Sequence, residues 1–204
     1  MSLLSILLVA ISSYLIGSIP SSYIVGKVVK GIDLREHGSG NLGAANTFRI
    51  LGAKAAIPVL LFDVGKGFIA VRYFSAFSGN ESFIYPLISA FFVVLGHNYS
   101  VFMKFSGGKG VSTTTGAFAA LAPLAVLLSF VLWIVVLLIS RIVSMASMIA
   151  ALFLPISIFI LNSAFDENIH ISIQILAILV AIVVIYKHKS NIKRLIEGTE
   201  KKIF

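Results

Sequence analysis

Long apolar runs dominate this chain and restrict the folds it can adopt. Five runs reach, or come close to, the roughly 20 residues that a helix needs to cross a bilayer. Only 12% of the residues are charged, against about 25% in soluble domains. We therefore predict an all-α, polytopic integral membrane protein that folds as one domain over residues 1–204. The runs span residues 3–28, 55–77, 83–105, 144–165 and 171–186.

The stretch 110–140 decides the number of crossings, because it is too long for one helix and slightly short for two. It contains Ala122-Pro123, and proline disfavours helix at the residue before it. If the stretch crosses twice, the first time as a short helix over 111–121, the chain has about seven spans. The loops on one side of the membrane then contain Arg72 as their only cation. With six spans, Arg141 and the six tail cations would change sides. Because cytoplasmic loops carry the excess of Lys and Arg, we predict seven transmembrane helices, with the N-terminus outside and the C-terminus cytoplasmic.

Three polar islands interrupt the apolar runs, and the seven-span topology places all of them at the cytoplasmic face. Each combines small flexible residues with amides, hydroxyls or cations, a mixture suited to gripping phosphate. We therefore expect the islands to form one pocket for an anion. Island 1 covers residues 37–46 with Arg49 behind it, island 2 covers 106–110, and island 3 covers 188–191.

Island 1 carries the strongest signal. Its glycines, Gly40 among them, let the backbone turn its N–H groups toward an anion, while Ser39, Asn41 and Asn46 add neutral donors. The planar fork of Arg49 suits phosphate. Glycine, serine and asparagine are also common in ordinary turns, so a plain interfacial loop is the alternative. The density of these residues favours a binding site.

Island 2 opens the short fourth helix with Gly108 and Lys109. A helix N-terminus attracts anions, and the lysine adds a full charge. The spacing of a nucleotide-binding P-loop is missing, which argues against nucleotide hydrolysis. A lysine that snorkels from a helix end is the alternative for island 2 alone.

Island 3 places His188 and Asn191 three residues apart, so on a helix they share one face. Histidine can donate to phosphate or move a proton near neutral pH. Ser144 and Ser147 show the same spacing after Arg141, where their hydroxyls can donate to a ligand. A solvated basic tail is the simpler explanation of island 3 by itself, and serines are common in membrane helices.

Asp63 and Lys66 lie one turn apart inside the second apolar run. Ionisable groups at that depth are expensive and usually face the interior of a helix bundle. We predict a structural ion pair, or a contact with the neighbouring helix that carries His97 and Asn98, rather than a catalytic or proton-relay role.

Several absences narrow the function. The chain has no cysteine, which excludes disulfides, thiolate metal sites and cysteine nucleophiles. No cluster of histidine, aspartate and glutamate has metal-ligand spacing, so we predict no metal and no cofactor. The net charge of +8 is explained by the cytoplasmic loops and does not indicate nucleic acid. The H-x-x-x-x-D signature of soluble-domain glycerolipid acyltransferases and the D-G-x-x-A-R stretch of CDP-alcohol phosphotransferases are both missing.

In order, spacing and length, the islands together resemble the PlsY family of bacterial membrane acyltransferases, which use acyl phosphate and glycerol-3-phosphate. The likeness covers nearly the whole chain, from residues 16–20 to the tail. Many relatives have threonine where this chain has Ala45, so we leave Ala45 out of the site. The matching strings are His37 to Asn41 with Asn46 and Arg49, Phe62-Asp63 with Lys66-Gly67, Gly96-His97-Asn98, Phe105 to Val111, and His188 to Gly198 with Glu200.

The resemblance implies acyl transfer from acyl phosphate to the 1-hydroxyl of glycerol-3-phosphate, which gives lysophosphatidic acid in the first step of phospholipid synthesis. It implies that Ser39, Gly40 and Asn41 hold the acyl-phosphate group, and Asn46 and Gly108 complete the predicted substrate-binding set. The proton of the attacking hydroxyl would pass to His188 or, as the resemblance favours, to a substrate phosphate. The residues that would hold glycerol-3-phosphate and the developing negative charge are Lys109, Arg49, His188, Asn191 and Ser147.

Two other functions fit parts of the sequence. A transporter or channel for an organic phosphate would also break its helices near a polar site, but the polar residues cluster on one side and no repeat is evident. A small scaffold that binds anionic lipid headgroups would not need clustered glycines and asparagines. We therefore expect an enzyme of the bacterial inner membrane that acts as a monomer, with its site facing the cytoplasm and membrane lipid around it.

Overall fold

All regular secondary structure that the computed structural model describes, over residues 2–74 and 82–203, is helical, as the sequence predicts. The chain forms two compact units, unit 1 over residues 1–121 and unit 2 over residues 122–204. This division does not test the single domain expected from the sequence, which stays a prediction.

The described part of unit 1 contains six α-helices. The first predicted span divides at Ile19-Pro20, because proline disfavours helix at the residue before it. The helix α4 continues as a π-helical turn, Ala70–Phe74, and residues 75–77 of the second predicted span lie outside the described residues. The helices are α1 Leu3–Ser18, α2 Ser21–Lys30, α3 Ala44–Leu51, α4 Ala53–Ile69, α5 Ile84–Asn98 and α6 Val111–Leu121, and 3₁₀ turns cover Leu34–Glu36 and Val101–Met103.

Small residues let the helices of unit 1 pack closely. Helix α1 lies against α5, and α4 lies against α6. Gly116 on α6 is so close to the carbonyl group of Val64 on α4 that a β-carbon would overlap it, and Gly67 faces Thr113 in the same way. Helices in a bilayer gain little from the hydrophobic effect between them, so they depend on such close contacts.

Hydrogen bonds fix the end of α1 against the segment that follows α5. Ser100 Oγ donates to Ser18 O over 2.5 Å, and Tyr14 Oη donates to Tyr99 O over 2.7 Å. Carbonyl groups in the last turn of a helix have no partner within that helix, and Ser100 supplies one. These bonds hold the break at Ile19-Pro20 next to the segment that leads into island 2.

The described part of unit 2 contains four α-helices. Helix α8 packs against both α7 and α9, and α10 continues beyond α9 after a bend of 58°. Pro123 lies in the first turn of α7, where its missing N–H removes no helical hydrogen bond. The helices are α7 Pro123–Ser140, α8 Val143–Phe165, α9 Ile171–Lys187 and α10 Lys189–Ile196.

By length and composition, four stretches of the described residues can cross a membrane, and the bent pair α9–α10 makes a fifth if it counts as one span. Helices α4 and α6 have 17 and 11 residues, fewer than the roughly 20 of a straight crossing. The seven spans and the orientation of the termini therefore stay predictions. The four stretches are Leu3–Lys30, Ile84–Met103, Pro123–Ser140 and Val143–Phe165.

We expect Gly116→Ala to destabilise unit 1, because its methyl group would push α6 away from the Val64 carbonyl. Overpacking of this kind costs about 1–3 kcal/mol. The matched control is Gly65→Ala on α4, where a β-carbon meets open space. Alanine there should be neutral or should stabilise the helix by roughly 0.5–1 kcal/mol. Thermal unfolding in one detergent measures both, and equal unfolding temperatures would contradict the close α4–α6 contact.

Candidate active site

One buried side chain holds the loop of island 1 in shape. Asn46, in the first turn of α3, is 1% exposed. Its Nδ2 donates to the carbonyl oxygens of Leu34 over 3.1 Å and His37 over 3.0 Å. Its Oδ1 accepts from the backbone N–H of Ser39 over 2.9 Å. Because the amide uses both N–H groups and its oxygen inside the loop, Asn46 is well placed to shape the site.

The loop of island 1 turns at Gly38 and Gly40, whose φ angles are 64° and 69°. Both values lie in the left-handed region that favours glycine. A β-carbon on Gly38 would also collide with the Asn46 side chain. The turn leaves Ser39 exposed and Asn41 half-buried. Loop residues of this kind can approach a ligand with both backbone and side-chain donors.

Islands 1 and 2 lie together in unit 1. The backbone N–H of Gly108 donates to His97 O over 3.0 Å. A β-carbon on Gly108 would overlap the His97 ring and lie 2.6 Å from Leu42 O of island 1, so only glycine fits there. Lys109 is half-buried and directly precedes Gly110, whose carbonyl accepts from Thr114 N in the first turn of α6. Island 2 therefore leads into α6, as the sequence predicts.

A small cleft opens beside this contact. The hydroxyl-bearing residues Ser18, Ser21 and Ser100 line it together with His97 and the backbone of Gly107-Gly108. The remaining lining residues, Ile19, Pro20 and Leu42, are apolar, and none of the lining residues is acidic. The hydroxyl groups of Ser21 and Ser100 already donate to Asp63 Oδ1 and to Ser18 O, so the cleft marks the place where the α1–α2 break meets island 2.

The predicted ion pair between Asp63 and Lys66 forms inside unit 1. Lys66 Nζ lies 2.8 Å from Asp63 Oδ1 and donates to Ile19 O over 3.1 Å. Ser21 Oγ donates to the same carboxylate oxygen over 2.8 Å, and His97 Nδ1 lies 3.7 Å from it. The predicted contact with the helix that carries His97 is thus confirmed. Sequence reasoning missed Ser21, whose position directly after a helix break was the available signal.

A second polar cluster, in unit 2, centres on Glu200, which the sequence-based site did not include. Its Oε1 accepts from Ser144 Oγ over 2.7 Å and from Asn191 Nδ2 over 2.6 Å, and its Oε2 accepts from Arg194 Nε over 2.6 Å. Burial raises the pKa of the Glu200 carboxyl, but hydrogen bonds from these three partners outweigh it and hold the pKa below the usual 4.5. An acidic residue after a run of cations was the signal in the sequence.

His188, Asn191 and Ser147 are all buried in unit 2. His188 lies at the bend between α9 and α10, so the face that it was expected to share with Asn191 spans a helix junction. Its Nδ1 lies 2.7 Å from Val184 O. Since a carbonyl only accepts, Nδ1 carries a proton in this contact. Ser147 Oγ accepts from Trp133 Nε1 over 3.2 Å.

The polar islands supply donors and cations rather than a set of metal ligands. Over residues 2–74 and 82–203, no group of three or more histidine, aspartate or glutamate side chains is placed to hold a metal ion.

The fold and the site define the class of this protein: a multi-pass, all-helical integral membrane protein whose polar, donor-rich loops lie at breaks between apolar helices. Within that class, its sequence matches the family profile described as glycerol-3-phosphate acyltransferase over residues 7–198. The chain therefore belongs to the glycerol-3-phosphate acyltransferase family, and the resemblance drawn from its motifs is confirmed.

Individual relatives match nearly the whole chain. The glycerol-3-phosphate acyltransferase of Bacillus subtilis is 42% identical, with 97% of each chain covered. That of Chlorobaculum tepidum is 39% identical, covering 98% of this chain and 97% of the relative. Among solved structures, PlsY, an integral membrane glycerol 3-phosphate acyltransferase in its glycerol 3-phosphate form, is 37% identical with a TM-score of 0.86. That match covers 97% of this chain and 95% of PlsY.

We expect Glu200→Gln to lower the unfolding temperature at pH 7, because the new amide would place an N–H donor against the Arg194 donor. Losing a buried partner of this kind costs about 1–3 kcal/mol. Since the folded-state pKa of Glu200 is depressed, its contribution is present above about pH 4.5 and is lost as the pH falls through the folded-state pKa. The difference between wild type and variant should therefore shrink below that pH.

Thermal unfolding at a series of pH values checks this expectation. The control is Glu197→Gln, whose exposed carboxylate lies 3.8 Å from Lys193. A surface change of this kind should stay within about 0.5 kcal/mol. If Glu200→Gln matched this control at neutral pH, the network around Glu200 would not stabilise unit 2.

Proposed function

We propose that this protein transfers a fatty acyl group from acyl phosphate to the 1-hydroxyl of glycerol-3-phosphate and releases lysophosphatidic acid. The observation that carries this proposal is the contact of islands 1 and 2 in unit 1, where Gly108 of island 2 lies directly against Leu42 O of island 1. Membership of the family supports glycerol-3-phosphate as the acceptor. The motif resemblance supports acyl phosphate as the donor.

In the proposed reaction, the acceptor hydroxyl oxygen attacks the acyl carbonyl carbon, the bond from that carbon to the phosphate oxygen breaks, and inorganic phosphate leaves. The donor is already activated, so no covalent enzyme intermediate is needed. The hydroxyl proton passes to a substrate phosphate or to His188. Both substrates are anions, so the site has to offset their repulsion with cations and preorganised donors.

The proposed roles in unit 1 follow from the shape of its loops. Ser39, Gly40 and Asn41 hold the acyl-phosphate group, since the turn leaves them accessible. Arg49 and Lys109 hold glycerol-3-phosphate and the negative charge that develops in the transition state. The hydrogen bonds of Asn46 support a positioning role for this residue within the substrate-binding set.

The proposed roles in unit 2 concern glycerol-3-phosphate. We assign Ser147, His188 and Asn191 to its binding, with Glu200 as the group that orients Asn191. With Nδ1 of His188 directed at the Val184 carbonyl, Nε2 is the ring atom that would act on a substrate.

Purified protein supplied with acyl phosphate and glycerol-3-phosphate should form lysophosphatidic acid and inorganic phosphate in equal amounts. A parallel reaction with an acyl thioester as donor tests the choice of acyl phosphate. We expect activity to survive thorough EDTA treatment. Loss of activity that Mg²⁺ or Mn²⁺ restores would count against the proposed mechanism, and failure with both donors would count against the function.

We expect Lys109→Ala and Arg49→Ala each to lose at least about a hundredfold in activity, on the scale of one preorganised electrostatic group, ~2.7–4 kcal/mol. Arg49→Lys should recover only part of the loss, because an ammonium group cannot reproduce the planar fork. The control is Lys54→Ala, an exposed lysine in the first turn of α4. Near wild-type turnover by folded Lys109→Ala would show that the proposed site is wrong.

We further propose seven spans in a bacterial inner membrane, with the N-terminus outside, the active site facing the cytoplasm and a monomer as the active form. The distribution of Lys and Arg supports this topology. A cysteine introduced at Asn168 should react with an impermeant reagent in intact cells, and one at Ser190 should not. Residue 78, a further labelling position expected outside, lies beyond the described residues. Labelling of Asn168 and Ser190 from the same side would contradict the model of seven spans.

A further inference from the structure

The Asp63 cluster, made of Asp63, Lys66, Ser21 and His97, connects three parts of unit 1 through one carboxylate. Its oxygen Oδ1 accepts from Ser21 Oγ over 2.8 Å at the start of α2 and lies 2.8 Å from Lys66 Nζ on α4. The same oxygen lies 3.7 Å from His97 Nδ1 near the end of α5. The α1–α2 break, α4 and α5 thus meet at Asp63.

Stability alone is a poor explanation for this buried pair. The side chains of Asp63 and Lys66 are 1% and 2% exposed. Burying two charges carries a large desolvation cost, and a well-packed apolar pair is often as stable as a buried ion pair. An apolar replacement would lose the contacts that the pair makes beyond α4, with Ser21, Ile19 O and His97. The contacts outside α4 are therefore what the charged pair provides and an apolar pair would not.

His97 carries the connection from Asp63 to island 2. Its Nδ1 side faces the carboxylate, which can only accept, so a proton on Nδ1 is favoured. Its Nε2 lies so close to Gly108 that a β-carbon there would overlap it, and its carbonyl oxygen accepts from the Gly108 N–H over 3.0 Å. The backbone of Gly108 is thus held by His97 through both ring and main chain, directly before Lys109.

We propose that Asp63 is a positioning residue for the phosphate-binding loop of island 2, and that it acts through His97. The carboxylate fixes the ring, the ring fixes Gly108, and Gly108 sets the direction of the N–H groups and of Lys109 toward a bound phosphate. This inference rests on the proposed function, since it takes glycerol-3-phosphate as the ligand. It predicts a loss of ligand affinity, whereas a purely structural pair would change only the amount of folded protein.

The first test separates affinity from turnover. Folded Asp63→Asn should raise KM for glycerol-3-phosphate by at least about tenfold while kcat falls by less than about threefold, a change within the range seen for residues that act through a network. If Lys66 without its partner prevents folding, Asp63→Asn combined with Lys66→Met removes both charges and should show the same rise in KM. Glu197→Gln is the control for loss of a paired acid and should leave KM unchanged. Wild-type KM in either folded Asp63 variant would overturn the proposal.

The second test examines whether His97 transmits the effect. Gly108→Ala should weaken glycerol-3-phosphate binding strongly, because its methyl group meets the His97 ring and Leu42 O. The His97→Ala variant lacks the ring, so only the overlap with Leu42 O remains. The loss of affinity that Gly108→Ala adds in this variant should therefore be at least about threefold smaller than the loss it causes in the wild type, as expected for residues in contact. Equal losses in both backgrounds would show that His97 does not transmit the effect, and would overturn the proposal.

A measurement of binding, which needs no turnover, distinguishes failure of the proposed function from failure of this inference. At a fixed concentration, glycerol-3-phosphate raises the unfolding temperature of the protein by an amount that increases with its affinity. If wild-type protein transfers no acyl group yet is stabilised by glycerol-3-phosphate, the reaction is wrong, and the smaller shift expected for the Asp63 variants still tests the positioning. If glycerol-3-phosphate stabilises no form of the protein, the ligand and this inference are both overturned.

Discussion

The structure of unit 1 depends on hydrogen-bond partners for the carbonyl groups at the ends of its apolar helices, which have no partner within their own helix. Such groups need a partner wherever water is scarce, and an unmet one costs several kcal/mol. Lys66 donates a hydrogen bond to Ile19 O, and Ser100 donates one to Ser18 O. Asn46 donates to two carbonyl groups of the loop before α3. These three buried side chains are thus committed to the helix breaks and to the loop before α3.

The same commitment explains why the candidate site lies where it does. Side chains that satisfy the α1–α2 break also bring that break up to α5, and the segment after α5 returns past His97 as island 2. The glycines then allow island 2 to lie directly against the His97 ring. One set of residues therefore determines both the shape of the loops and the ends of the helices.

Sequence reasoning recovered the features that depend on local spacing. Run length predicted the helical class, Ala122-Pro123 predicted a helix end, and the interval of three residues predicted the Asp63–Lys66 pair. The run 3–28 was predicted as one span, whereas the structure divides it at Ile19-Pro20. The bend at His188 carries no proline or glycine, and its signal in the sequence was the change from the apolar run 171–186 to a basic segment.

Partners that are distant in sequence escaped prediction for a physical reason. Ser21 meets Asp63 across 42 residues, and Ser144 meets Glu200 across 56. Neither pair has a periodicity to reveal it, because tertiary packing alone brings the two groups together. Glu200 was therefore matched to the family but left out of the predicted site, although its side chain is only 2% exposed.

The return of the tail to the start of α8 has a consequence for biosynthesis. Glu200 receives the Ser144 hydroxyl, and the Ile203 N–H donates to Arg141 O over 2.8 Å. While the ribosome is still making α9, α8 is already synthesised but its polar end has neither partner. The carbonyl and hydroxyl groups there depend on water or on lipid headgroups until the tail emerges. Unit 2 can therefore complete these polar contacts only after synthesis has passed Glu200 and Ile203.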